Sequence, residues 1–191
     1  MNKALLLLLI QGLLGAFDTI YYHEWRAALP ARGASVRLEL QLHSIRSFIY
    51  ALIYLTFPSI AWRGLWVIAP LLMLVTEIVI TLIDFTIEAD SRRSLGGLYP
   101  GERITHAVIA MTYGAMLAFL IPLLWEGGHL PTRLARIGQD EVSLSLRRIF
   151  SVMAAGALLS AMRDLCAAYG LPCGYWPWKG NGIEHVRSRL S

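Results

Sequence analysis

The chain has 191 residues, of which 56% are hydrophobic and 16% are charged, and its mean hydropathy is +0.53. This composition is too apolar for a soluble domain of this size, so it predicts an integral membrane protein. The formal charge of +4 is expected to reflect membrane topology and lipid contact, and we predict no nucleic-acid partner.

Five apolar segments are long enough to cross a bilayer as helices. The first begins after Lys3 and keeps Asp18, His23 and Glu24 near its end, which favours a retained helix over a cleaved signal peptide. We therefore predict an all-α fold, a single transmembrane domain over residues 1–191 built as an integral membrane bundle of five transmembrane helices. The predicted helices cover roughly residues 4–25, 38–62, 65–88, 103–125 and 145–169.

The basic residues are distributed unequally between the two predicted sides of the membrane. Most of the 17 lysines and arginines fall on the side that also holds the C-terminus. The positive-inside rule places that side in the cytoplasm and the N-terminus outside, in a plasma (inner) membrane. Segment 170–191 is predicted to be an interfacial cytoplasmic tail, because aromatic residues such as Tyr175, Trp176 and Trp178 are typical of the headgroup region.

The third apolar segment carries carboxylates at positions where lipid does not tolerate charge. On a helix, Glu77, Asp84 and Glu88 share one face with Thr81. Ionisable side chains within a membrane usually face the bundle interior or a water-filled cavity. We therefore expect this stripe to face inward and to meet polar groups from the other helices.

Histidines and further carboxylates are located at the helix ends that the predicted topology brings to the cytoplasmic leaflet. Imidazole and carboxylate ligands together suit iron, manganese or zinc. In two of the helices a glutamate precedes a histidine by four residues, whereas carboxylate-bridged di-iron bundles use Glu-x-x-His. This chain therefore resembles the di-iron bundles in its types of ligand and not in its sequence motif. The predicted metal ligands are His23, Glu39, His43, Asp84, Glu88, Glu102 and His106.

Other polar residues near this group are assigned different roles. The candidate catalytic residues are Glu24 as a general base, the deep Glu77, which is either a protonated carboxyl or a ligand, and Tyr113. Arginines that could hold an anionic substrate headgroup at the membrane surface are Arg92, Arg93 and Arg103. A structural ion pair is expected among Asp18, Arg163 and Asp164, with Arg46 as another partner of Asp18.

Three classes of function are compatible with these residues. The first is a membrane oxidoreductase with two iron ions, of hydroxylase, desaturase or oxidase type, which acts on a lipid-soluble substrate at the cytoplasmic leaflet and uses a redox partner. The second is a zinc-dependent lipid hydrolase, with ligands among His23, His43 and His106. The third is a haem-b or transport module without catalysis, which the acidic stripe and the apolar outer halves of the helices disfavour.

Overall fold

The computed structural model describes residues 1–93 and 96–176, which are mostly helical and confirm the prediction of an all-α chain. The helices are α1 (Asn2–Phe17), which continues as a π-helical segment (Asp18–Arg26), then α2 (Leu29–Arg32), α3 (Arg37–Thr56), α4 (Ile68–Ser91), α5 (Pro100–Gly128) and α6 (Leu144–Ala168). Short 3-10 helices occupy Gly33–Val36, Gly64–Val67 and Pro172–Tyr175. Most of the predicted tail, residues 177–191, lies outside the described residues.

Four helical stretches within the described residues are long and apolar enough to cross a membrane, which indicates a membrane protein. These stretches are Asn2–Arg26, Gly64–Ser91, Pro100–Gly128 and Leu144–Ala168. Helix α3, the second predicted span, is not among them, because its first half carries Arg37, Glu39, His43 and Arg46. A bundle with five spans therefore stays a prediction.

Helix α3 is nevertheless central to the bundle. It packs along α6 and also contacts α4, while α1 packs against α5. The Ser44 hydroxyl of α3 donates a 2.8 Å hydrogen bond to the Ala161 carbonyl of α6, and small residues at such contacts let two helices approach closely. The fully buried Ile53 and Phe150 continue this interface into the apolar half of the bundle.

A two-stranded ribbon closes the apolar end of the bundle, and the sequence did not predict it. Strand β1 (Ile60–Arg63) pairs antiparallel with β2 (Arg133–Arg136). Helix α3 ends at Thr56, earlier than the predicted boundary at residue 62, because Pro58 has no N–H to donate to a carbonyl of the preceding turn. The ribbon joins the α3–α4 link to the α5–α6 link, so the polar helix ends lie together at the opposite end.

Candidate metal centre

The end of the first span is a π-helix, and this geometry places two polar side chains in the site. The Ala27 N–H donates to the Tyr22 carbonyl at 2.8 Å, a hydrogen bond across five residues. Five residues span about 1.4 turns of an α-helix, so Asp18 and His23 would diverge there. In the π-helix they are one turn apart, and both are buried.

Four of the seven predicted ligands converge on one point. His23 from the π-helical segment, Glu88 from α4, and Glu102 and His106 from α5 each offer a ligand atom, and these atoms lie within 4.8 Å of one another. Two donors bound to one ion at about 2.1 Å are separated by at most about 4.2 Å, so shifts of well under 1 Å would close this group around an ion. A buried cluster of this kind could hold a metal ion. We call these four residues the ligand group.

Asp18 lies directly against the ligand group. Its Oδ2 atom is 3.3 Å from His23 Nε2 and 3.1 Å from His106 Nε2. The structure therefore places Asp18 beside two histidines, and not beside Arg163 or Arg46. Arg163 instead pairs with Glu24, the candidate general base, and with Asp164 at 2.7 Å.

A second set of polar residues adjoins the ligand group. The rings of His43 and His23 stack with centroids 4.5 Å apart, and His43 Nε2 is 3.2 Å from Asp84 Oδ2. Arg46 Nη1 is 3.5 Å from the same Asp84 oxygen, and Arg46 Nε is 3.8 Å from Glu77 Oε1. Two further predicted ligands, His43 and Asp84, therefore form a layer next to the first four.

Arg92 is buried at the centre of the acidic residues. Its side chain has no exposed surface, and its Nη2 atom lies 2.8 Å from Glu39 Oε1, 3.2 Å from Glu102 Oε1 and 3.9 Å from Glu88 Oε1. Burial alone would lower the pKa of Arg92, but these carboxylates, Glu39 first, outweigh it and hold the pKa above its usual value. The guanidinium is therefore a permanent positive charge inside the cluster.

The predicted surface arginines thus differ in position. Arg92 is in the interior, whereas Arg93 and Arg103 are exposed, and Arg93 pairs with Asp90 at 2.7 Å. The buried position of Arg92 differs from the surface position predicted from the sequence. The signal was its spacing of four residues from Glu88, which puts both on one helix face.

The remaining candidate catalytic residues lie deeper in the bundle. Glu77 accepts hydrogen bonds of 3.0 Å from both Tyr50 and Thr81, and Gln11 Nε2 donates to the Tyr50 hydroxyl at 2.5 Å. The Tyr113 hydroxyl donates to the Leu74 carbonyl at 3.1 Å. These residues form a polar network at mid-helix depth, which Arg46 connects to Asp84. Gln11, in the middle of an apolar run, was not considered in the sequence analysis.

Carboxylates outnumber guanidiniums in the cluster. Six buried carboxylates, those of Asp18, Glu39, Glu77, Asp84, Glu88 and Glu102, face the guanidiniums of Arg46 and Arg92, which gives a formal charge of −4 when every carboxylate is ionised and every imidazole is neutral, the states in which these groups bind metal. Within the described chain, the Oδ1 atoms of Asp18 and Asp84 make no hydrogen bond. Buried carboxylate oxygens without a partner are unfavourable, so their free electron pairs fit bound cations.

A cavity of about 620 Å³ adjoins the site, lined by His23, His43 and Asp18 at one end and by side chains of α1 and α6 along its length. This volume lies in the range of pockets that hold one small ligand.

Comparison with known proteins gave no match: no family model fits the sequence, and no curated protein or solved structure is significantly similar to it.

Proposed function

We propose that this chain is a membrane metalloenzyme, an oxidoreductase that uses a carboxylate-rich centre of two iron ions on a lipid-soluble substrate. The observation that carries the proposal is the convergence of two histidines and two glutamates inside a buried cluster with a formal charge of −4. With every carboxylate ionised and every imidazole neutral, two divalent cations would neutralise that charge, whereas one would leave half of it. On this count we propose two ions.

The protein residues divide into two ligand layers. The ligand group would hold one ion, and Asp18, His43 and Asp84 are the adjoining donors available to a second. Iron in such a centre supplies one-electron redox chemistry and the activation of oxygen. Arg92 holds Glu39 and Glu102 in place through its buried ion pairs.

The reaction needs protons and electrons as well as oxygen. In a hydroxylation, a C–H bond breaks and a C–O bond forms, and the second oxygen atom leaves as water with two electrons and two protons from a reduced partner. Glu77 is the buried carboxyl that could hold a proton near the centre: Tyr50 and Thr81 donate hydrogen bonds to it, and the Arg46 guanidinium fixes Glu77 and Asp84 in position. The electrons would come from a reduced cytoplasmic or quinone partner.

Metal content and oxygen uptake test this proposal together. Protein purified in detergent and loaded with iron should contain about two irons per chain and should consume oxygen when given a reductant and a membrane lipid extract. Zinc-loaded protein is the control and should consume none. Loaded protein that takes up no oxygen, or that binds no iron, would contradict the oxidoreductase assignment.

A zinc hydrolase is the second candidate, and one observation favours it. The four donors of the ligand group surround a single point, as the ligands of a mononuclear site do. This alternative predicts one zinc per chain and hydrolysis of a lipid ester without oxygen uptake.

The proposed orientation places the metal centre at the cytoplasmic leaflet of the inner membrane. The reason is the excess of lysine and arginine on that side of the predicted helices. Reporter fusions inserted at Gly97 and added to the C-terminus should both be active as cytoplasmic reporters, and a fusion at the N-terminus should report the outside. A fusion at Gly97 that reports the outside would reverse the orientation.

A further inference from the structure

The cavity beside the metal centre runs along the first span, from Gln11 of α1 to His23 of the π-helical segment. Twelve residues at the α-helical rise of about 1.5 Å give it a length of at most about 18 Å, because π-helical residues rise less. We infer that it binds the substrate, and that the substrate is a neutral lipid with a single chain and a hydroxyl head group. The statement that the bound lipid is a substrate rests on the proposed function, but binding of the lipid can be measured without metal.

Small residues leave open space between α1 and α6 where these helices line the cavity. A side chain added at Gly15 of α1 or Gly156 of α6 would begin in this space, because no atom outside the adjoining backbone of its own helix lies within 4 Å of its Cβ position. Two lining residues, Ile20 and Leu159, are 65% and 68% exposed. The cavity is therefore open to the bilayer between these helices, so a lipid chain can enter from the side. We call this open cavity the slot.

The charged groups of the lining argue for a neutral ligand. Arg46 already lies beside Glu77 and Asp84, and Arg163 beside Glu24 and Asp164. Each guanidinium thus faces two carboxylates and has no charge left to balance an anionic head group. An ammonium head group is disfavoured at both ends of the cavity. At one end the cations of the proposed centre would repel it, and at the other end Glu77 is already hydrogen-bonded.

The polar groups at the Gln11 end select the head group. Gln11 is 2% exposed, and its Oε1 atom accepts no hydrogen bond from any described residue. The Tyr54 hydroxyl, which also lines the cavity, makes no hydrogen bond within the described part of the chain and lies 2.5 Å from the Cβ position of Gly12. A hydroxyl can donate to Gln11 and accept from Tyr54 at once, whereas a carbonyl would leave the Gln11 oxygen without a donor.

In this arrangement the head group and the metal centre lie at opposite ends of the slot. The far part of the chain then reaches His23, so the reaction takes place on a carbon remote from the hydroxyl. A lipid with two chains would exceed the slot, since its volume suits one small ligand.

Binding of two amphiphiles with the same chain tests the inference. The full chain, in lipid nanodiscs and without metal, is titrated with hexadecanol or hexadecanoate, and the thermal midpoint is followed. Hexadecanol should raise the midpoint in a saturable way, because a ligand that binds only the folded state stabilises it. Tyr54→Phe removes one hydrogen bond and keeps the ring, and it should weaken hexadecanol binding about five- to tenfold.

Gly156→Leu fills the slot, and Gly114→Leu is its matched control. Both glycines lie within long helices with open space at the Cβ position, but only Gly156 lines the cavity. Hexadecanol stabilisation should disappear in Gly156→Leu and persist in Gly114→Leu. Equal stabilisation by both amphiphiles, stronger binding of the acid, or unchanged hexadecanol binding in Gly156→Leu would overturn the inference. Hexadecanol binding by a protein that takes up no metal would contradict the proposed function and leave this inference standing.

Discussion

His106→Ala should lower metal affinity by more than about 100-fold. Loss of an outer-shell partner alone weakens a metal site about 10- to 100-fold, and His106 belongs to the ligand group itself. Its ring lies within 3.1 Å of Asp18, so the substitution also removes the partner of that carboxylate. The measurement is the metal content of purified protein after dialysis, together with the rise in thermal midpoint that metal produces.

The matched control is His129→Ala, the same substitution at the exposed end of the same helix. It should keep its metal and its metal-dependent stabilisation. Circular dichroism would show that both variants are folded. A folded His106→Ala protein with full metal content would exclude the ligand group as the metal site.

Arg92→Met should destabilise the protein by about 3–5 kcal/mol. Removal of one partner from a buried ion pair leaves the other charge without compensation, and here one guanidinium serves Glu39, Glu88 and Glu102. Methionine retains much of the side-chain volume, so the lost charge dominates the effect. Denaturant or thermal unfolding in detergent would measure it.

The adjacent arginine provides the comparison. Arg93 is 83% exposed and pairs with Asp90, so Arg93→Met should leave stability unchanged within error. Glu39→Gln should recover part of the loss when combined with Arg92→Met, because it removes the carboxylate left unpaired. Equal stability of the two single methionine variants would refute the buried ion pairs described for Arg92.

The helix period alone was sufficient to predict the acidic stripe on α4, which forms one wall of the site. Glu77, Asp84 and Glu88 are all buried, as their spacing on α4 requires. The convergence of His106 and Glu102 with this wall followed from antiparallel connections, which bring alternate helix ends to one side. Those inferences needed only local periodicity and chain direction.

Other features depended on contacts between residues distant in sequence. The pairing of Ile60–Arg63 with Arg133–Arg136 has no local signature, because each strand is only four residues long. The position of Arg92 was not predicted, because an arginine just beyond a membrane span usually lies at the cytoplasmic surface, as the positive-inside rule describes. Its ion-pair partner Glu39 is on another helix and gives no local signal in the sequence. Which carboxylates reach one point depends on rotamers and helix packing, so the sequence predicted seven ligands where four converge.

The π-helix of the first span lets it carry one residue more between Asp18 and His23 than an α-helical turn would. One residue fewer between them would restore ordinary α-helical hydrogen bonding and give a more regular helix. The aspartate and the histidine would then be four residues apart, a separation of about 40° around an α-helix, and would still share one face. In evolutionary terms, the π-helix absorbs a single inserted residue without separating the two side chains. An alignment that places a one-residue gap between Asp18 and His23 is therefore compatible with a protein that keeps both of them in the site.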